Sequence, residues 1–171
     1  MKNRFALAGI LLVLLALISC RGDEEGKYHF DNKVFVSGSS FADKVYIKRD
    51  NLDVTETHRC EVRVGMAQPE SRDVTVTFSL APELLDRYRM FYEDPAAELL
   101  PADGGYYVFS DVSVTIPAGL VESEPLDFDF GHLDRLPIEE RQRYVLPVTI
   151  SGSDGMPVLE SARTVYFVFT K

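Results

Sequence analysis

Apolar and polar residues alternate along most of the chain beyond about residue 30. Val74–Leu80 and Val112–Ile116 alternate without a break, and Leu126–Phe130 places three apolar side chains on one face and two carboxylates on the other. A period of two predicts β-strands that bury one face and expose the other. The pattern also predicts strands over Tyr144–Ile150, Thr164–Phe169, Val34–Val36, Val45–Ile47 and Tyr106–Phe109.

Strands with one wet face are typical of antiparallel sheets. Eight or nine of them between residues 28 and 171 predict a single mainly β domain, an Ig-like antiparallel β-sandwich. Thr164–Phe169 is apolar on both faces, which indicates a central strand. Pro147 lies inside a predicted strand, so we expect that strand to be an edge or to carry a bulge.

One short helix, at about residues 82–92, interrupts the strands. Pro82 suits the first helical position because the backbone N–H it lacks has no intrahelical partner there. The residues that follow at helical spacing form one apolar stripe, which we expect to cover an open end of the sandwich. The stripe consists of Leu84, Leu85, Tyr88, Phe91 and Tyr92.

The N-terminus has a different pattern, with a basic start followed by an apolar run from Phe5 to Ile18. Fourteen residues are too few for a transmembrane helix, which needs about 20, but they suit the core of an export signal. Leu17-Ile18-Ser19-Cys20 then reads as the lipobox of a bacterial lipoprotein. The sequence therefore predicts a signal peptide over residues 1–19, lipid such as palmitate on Cys20, and an acidic tether over residues 20–27.

The net charge of the chain indicates which classes of partner it can bind. The chain has 18 basic and 27 acidic residues, and loss of residues 1–19 removes two basic ones, leaving a net charge of −11. Such an acidic chain is a poor ligand for nucleic acid, which requires clustered Lys and Arg. We therefore expect no nucleic-acid partner, and membrane attachment only through the N-terminal lipid.

The sequence offers no catalytic signature and predicts no enzyme, no cofactor and no metal site. Asp127 and Asp129 share one strand face at roughly 6–7 Å, but outward carboxylates on one strand are expected to be solvated rather than catalytic. Cys60 alternates with apolar residues and is expected to be buried. The histidines have no metal-ligand spacing; they are His29, His58 and His132.

Aromatic residues give the one candidate for ligand binding. Tyr88, Tyr92, Tyr106 and Tyr107 lie in and after the predicted helix, and the chain contains no Trp. Alternation places Tyr106 and Tyr107 on opposite faces, so one of them would be exposed. A tyrosine platform near loops at one end of a sandwich could stack a sugar ring. The alternative is that these rings cover the core beneath the helix.

Several segments resemble, in order, one family of domains. They are Pro82–Tyr88, Leu100-Pro101, Val114–Gly119, Glu124–Leu126, Tyr144–Val148 and Val165–Phe167. Over about residues 33 to 169 the chain resembles the Ig-like N-terminal domain of unknown function found in Bacteroidota surface lipoproteins. The acidic residues after Cys20 resemble the surface-export signal of the same bacteria. The resemblance implies an outer-membrane lipoprotein that faces the cell exterior and is associated with polysaccharide use, and it carries over no catalytic residue.

Two classes of function remain open at this point. The first is a non-catalytic surface accessory or glycan-binding lipoprotein, with polysaccharide as its partner. The second is a structural or adhesin-like module that binds another envelope protein through an exposed edge strand, here the strand containing Pro147.

Overall fold

The structure, a computed structural model, describes residues 31–37, 57–109, 112–139 and 141–170, together with the backbone of residues 44–48. The predicted signal peptide, Cys20 and the tether lie outside the described residues. Within the described part, no helix combines the length and the apolar character that crossing a membrane requires.

Two β-sheets form the described domain. Its strands are β1 (Val34–Ser37), β2 (Lys44–Lys48), β3 (His58–Met66), β4 (Val74–Leu80), β5 (Glu98–Leu99), β6 (Val112–Ile116), β7 (Leu126–Phe130), β8 (Tyr144–Gly152) and β9 (Thr164–Thr170). The smaller sheet has the order β1-β3-β7, and the larger has the order β2-β9-β8-β4-β6 with β5 also paired to β8. The prediction of a mainly β, Ig-like sandwich is confirmed. Antiparallel pairing is not universal, because β2 lies parallel to β9 and β5 lies parallel to β8.

The core lies between the two sheets, and the predicted alternation places it correctly. Val74, Val76 and Phe78 of β4 are fully buried. Aromatic rings from facing strands meet there: the Phe128 and Phe130 rings lie 5.1 and 5.0 Å from the ring of Phe167. β9 is central, between β2 and β8, as its apolar character on both faces predicted.

The helical segment covers a face of the sandwich, not an open end as expected. A 3₁₀ turn over Pro82–Leu84 leads into helix α1 (Leu85–Phe91). α1 packs on the outer face of β8 and β9, where Leu85, Tyr88, Ala97, Val145, Tyr166 and Val168 form a second apolar cluster. The prediction that the helix covers an open end was wrong. β9 has apolar side chains on both faces, and the apolar stripe of the helix buries those on the outer face.

Pro147 lies in a central strand, so the expectation of an edge strand was wrong. β8 pairs with β9 on one side and with β4 and β5 on the other. β4 ends at Leu80, where the Ala81 N–H donates to the Pro147 carbonyl at 3.0 Å, and β5 takes over opposite Val145. The nitrogen of Pro147 falls at this junction, where β4 has already ended, so a missing N–H is tolerated. The other predicted alternative, a bulge in this strand, is confirmed, because β8 has a register shift against β4 opposite Thr77 and Phe78.

Candidate functional site

The larger sheet separates the four candidate tyrosines into two pairs. Tyr88 and Tyr92 lie on its outer face with α1, and their ring centroids are 5.2 and 6.0 Å from that of Tyr166. Tyr106 belongs to the core between the sheets, and Tyr107 packs against the same core. The structure therefore brings together Tyr88, Tyr92 and an unpredicted third ring, Tyr166, but it does not unite all four candidates.

Two of the four candidate tyrosines are buried, so their rings serve to pack the protein interior. Tyr88 is 1% exposed and Tyr106 is 8% exposed. The Tyr106 ring lies so close to Gly104 that an added Cβ would come within 1.8 Å of it, and the Tyr106 hydroxyl donates to the Arg135 carbonyl at 3.4 Å. The predicted strand Tyr106–Phe109 is reduced to a single bridge between Tyr107 and Phe130. Tyr92 and Tyr107 are half-buried.

Tyr107 borders an apolar groove of about 360 Å³ at the junction of β4 and β5. Its other walls come from the ends of those strands and from β8, namely Leu80, Pro82, Leu99–Ala102, Leu146 and Pro147. Partial burial raises the pKa of the Tyr107 phenol. Among the described residues, this phenol is the one polar side chain that lines the groove, so the groove offers few hydrogen bonds to a sugar.

A second depression, of about 140 Å³, lies where the C-terminal end of α1 meets the chain entering β9. We call it the aromatic depression; its lining residues are Arg87, Phe91, Tyr92, Glu160, Ser161, Thr164 and Tyr166. Phe91 was expected in the buried stripe of the helix, yet it is 72% exposed. Its ring packs edge-on against Tyr92 at 5.0 Å, so the exposed ring rests on the tyrosine cluster.

The chain reversal after α1 fixes the position of these rings. The Asp94 N–H donates to the Arg89 carbonyl at 3.0 Å, and Glu93 between them has a φ of 51°. This arrangement is a Schellman-type helix end, in which glycine usually occupies the left-handed position. Asp94 is itself buried, and its carboxylate accepts a hydrogen bond from Arg143 at 2.9 Å.

A third depression, open and polar, has a volume of about 630 Å³. It is lined by Ala96, Glu98, Glu139, Arg141 and Gln142. The Gln142 amide donates to the Tyr144 hydroxyl at 3.3 Å. Desolvation, followed by the nearby carboxylate of Glu98, raises the pKa of Tyr144. The described residues that line this depression include no aromatic ring, so they provide no stacking surface.

The carboxylates of β7 are paired with an arginine that the sequence reasoning did not identify. Arg59 of β3 lies 3.2 Å from Asp127 and 2.9 Å from Asp129. The hydrogen bond to Asp129 and the charges of both aspartates raise the pKa of Arg59. Complementary charge on the outward positions of two neighbouring strands was the available signal. Two exposed carboxylates held by one guanidinium form a surface ion-pair network, without the unequal environments that an acid–base pair needs.

Cys60 is buried as predicted, and desolvation, with a smaller effect of Asp129, raises its pKa from 9.0 to about 11. The thiol is therefore neutral near pH 7 and is a poor nucleophile. Within the residues that the structure describes, no cluster of His, Cys, Asp or Glu could hold a metal ion.

In two solved structures of larger proteins, one part has the same fold as this chain. A proposed carbohydrate-binding protein from Bacteroides ovatus is 21% identical with a TM-score of 0.66, and the match covers 81% of this chain and 37% of that one. EndoBT-3987 from Bacteroides thetaiotaomicron, solved with a Man5GlcNAc product, is 16% identical with a TM-score of 0.60, covering 80% of this chain and 30% of that one. The chain thus spans less than half the length of these two proteins.

A further fold relative is the apo-form CBD1 domain of Calx. It is 12% identical with a TM-score of 0.54, and the match covers 81% of this chain and 96% of that domain. No curated protein sequence is significantly similar to the chain. A family model that describes an N-terminal domain matches residues 30–157, and the chain therefore belongs to this family of N-terminal domains.

Proposed function

We propose that this protein is a non-catalytic lipoprotein of the cell envelope, serving as a surface accessory or glycan-binding component of polysaccharide use. Two observations carry this proposal: the family match over residues 30–157, and the fold, which a proposed carbohydrate-binding protein from Bacteroides ovatus shares over 81% of this chain. The partner would be a polysaccharide, and no cofactor would be required.

The envelope location is supported by the N-terminal sequence. A basic start, an apolar core and Ser19-Cys20 together would direct export and lipid attachment at Cys20. Two or more acyl chains would anchor the protein stably in the membrane. The anchor would have to be the lipid, because the net negative charge of this chain disfavours direct contact with anionic lipid. The acidic segment after Cys20 would send the protein to the outer face of the outer membrane.

The non-catalytic role is supported by the chemistry of the described residues. The two carboxylates that share one face of β7, Asp127 and Asp129, both pair with Arg59 on an exposed sheet face. The buried thiol of Cys60 has a raised pKa, which disfavours nucleophilic catalysis.

Glycan binding is tested by electrophoresis of the purified full-length protein in native gels that contain individual polysaccharides. The detergent must lack a sugar headgroup, so that it does not compete. Retardation by one class of polysaccharide is the expected result. Normal migration in every gel of a broad panel of host and plant polysaccharides would overturn direct recognition.

Lipid attachment is tested separately in the producing bacterium. Labelled palmitate should enter the wild-type protein but not the Cys20→Ala variant. Protease added to intact cells should then digest the wild-type protein. Label that persists in the variant would refute Cys20 as the anchor, and full protection from protease would refute surface display.

A second candidate function is an interaction module, and its support now comes from β6 instead of Pro147. Among the described residues β6 pairs only with β4, at the end of the larger sheet. Its sequence Val-Ser-Val-Thr-Ile has neither the charge nor the proline that usually blocks an edge. Self-association that disappears in a Thr115→Lys variant, measured by analytical ultracentrifugation, would favour this function.

A further inference from the structure

We infer that the aromatic depression between α1 and the start of β9 binds one pyranose unit of a glycan chain, with Phe91 as the stacking ring. This inference rests on the proposed glycan-related function and names its site. The apolar face of a pyranose ring packs on an exposed aromatic ring, while polar side chains beside the ring bind its hydroxyl groups. The aromatic depression presents both kinds of group.

The stacking ring is exposed and held in place. Phe91 is 72% exposed, and it rests edge-on against Tyr92 at 5.0 Å. Tyr92 in turn packs on Tyr88 at 4.9 Å, and Tyr88 is buried against β8 and β9. A ring supported by a buried cluster loses little conformational freedom on binding, which favours affinity.

The polar groups come from two different elements. Arg87 is on α1, whereas Glu160 and Ser161 belong to the 3₁₀ turn Glu160–Ala162. Arg163 orients the Glu160 carboxylate with bonds of 3.0 and 3.1 Å to its two oxygens. The Arg163 guanidinium is anchored to the Ile150 carbonyl at 2.7 Å. A guanidinium, a carboxylate and a hydroxyl provide the donors and acceptors that sugar hydroxyls need.

The size of the depression limits the ligand to a single ring. Its volume of about 140 Å³ is below the roughly 300–1,000 Å³ of pockets that enclose drug-sized ligands. A longer glycan would therefore place one unit in the depression and continue over the surface. Two larger depressions each lack one requirement among the described residues that line them: the groove beside Tyr107 has few polar groups, and the polar depression has no aromatic ring.

The test uses the full-length protein and the polysaccharide that retards it most in native gels. Phe91→Ala should weaken the apparent affinity about tenfold, because it removes the stacking ring. Phe91→Tyr should retain binding within about twofold, since the ring remains. Arg87→Ala should also weaken binding. Met90→Ala is the matched control, because Met90 is the neighbouring residue, is 78% exposed and does not line the depression.

The outcomes separate this inference from the proposed function. If the wild-type protein is retarded and Phe91→Ala is retarded equally, the site is wrong and glycan binding stands. Loss of binding in Tyr107→Ala alone would also overturn the site, in favour of the groove at the β4–β5 junction. If no polysaccharide retards the wild-type protein, both the function and the site fall.

Discussion

Replacing Tyr88 by alanine should destabilise the protein strongly, because this ring joins α1 to the larger sheet. Tyr88 is 1% exposed, and its ring lies 5.2 Å from Tyr166 and 4.9 Å from Tyr92. Truncating a buried aromatic side chain to alanine costs about 3–5 kcal/mol through lost burial and the cavity left behind. We expect Tyr88→Ala to lower the free energy of unfolding by this amount.

Phe91→Ala is the matched control, three residues further along the same helix. With 72% of Phe91 exposed, its removal should cost at most about 0.5 kcal/mol. Urea unfolding of the full-length protein, followed by circular dichroism and tyrosine fluorescence, measures both variants at a constant m-value. A loss below about 1 kcal/mol for Tyr88→Ala, or equal losses for the two variants, would refute the packing of α1 on β8 and β9.

Three further predictions concern single residues. The free energy of unfolding should fall as pH rises from about 9 towards 11, because the pKa of Cys60 is raised to about 11 in the folded protein; urea melts across this range should show a smaller fall in Cys60→Ala. At Glu93, with a φ of 51°, the Gly variant should be about 1 kcal/mol more stable than the Ala variant in the same melts. Asp94→Ala, which removes the buried carboxylate that pairs with Arg143, should cost about 1–2 kcal/mol, whereas Asp86→Ala, which removes an exposed carboxylate paired with Arg89, should change stability little. Equal results within any of these pairs would contradict the corresponding interaction.

Alternation predicted the strands well because the choice between core and water is local to each strand. Alternation could not predict which element covers each apolar face, because a strand face has the same apolar pattern whether a second sheet or a helix packs on it. β9 contained the missing signal: Tyr166 and Val168 are apolar on the face opposite the sandwich core, and α1 has the stripe that covers them. Pro147 wrongly indicated an edge strand for a related reason. A proline is tolerated inside β8 because β4 ends beside it, and the position of that strand end cannot be read from the sequence around Pro147.

The candidate site was predictable only in part. The sequence directed attention to aromatic residues around the helix, but closeness along the chain did not reveal that the sheet separates Tyr88 from Tyr106. Phe91 was assigned to the apolar stripe because it follows Leu84 and Tyr88 at helical spacing, whereas α1 ends at Phe91 and leaves its ring exposed. Glu160 and Ser161 precede β9 and lie about 70 residues after Phe91 in the sequence, so the local sequence pattern could not predict that they lie beside the helix.

Retention of polysaccharide by intact cells tests the central claim most directly, because it requires both surface display and glycan recognition. Fluorescent polysaccharides would be incubated with cells that produce the wild-type protein, the Cys20→Ala variant or no protein, and the bound fluorescence would be measured after washing. We predict that wild-type cells retain one class of polysaccharide above the level of the other two. Equal fluorescence on all three kinds of cell, for every polysaccharide of the panel, would contradict the account.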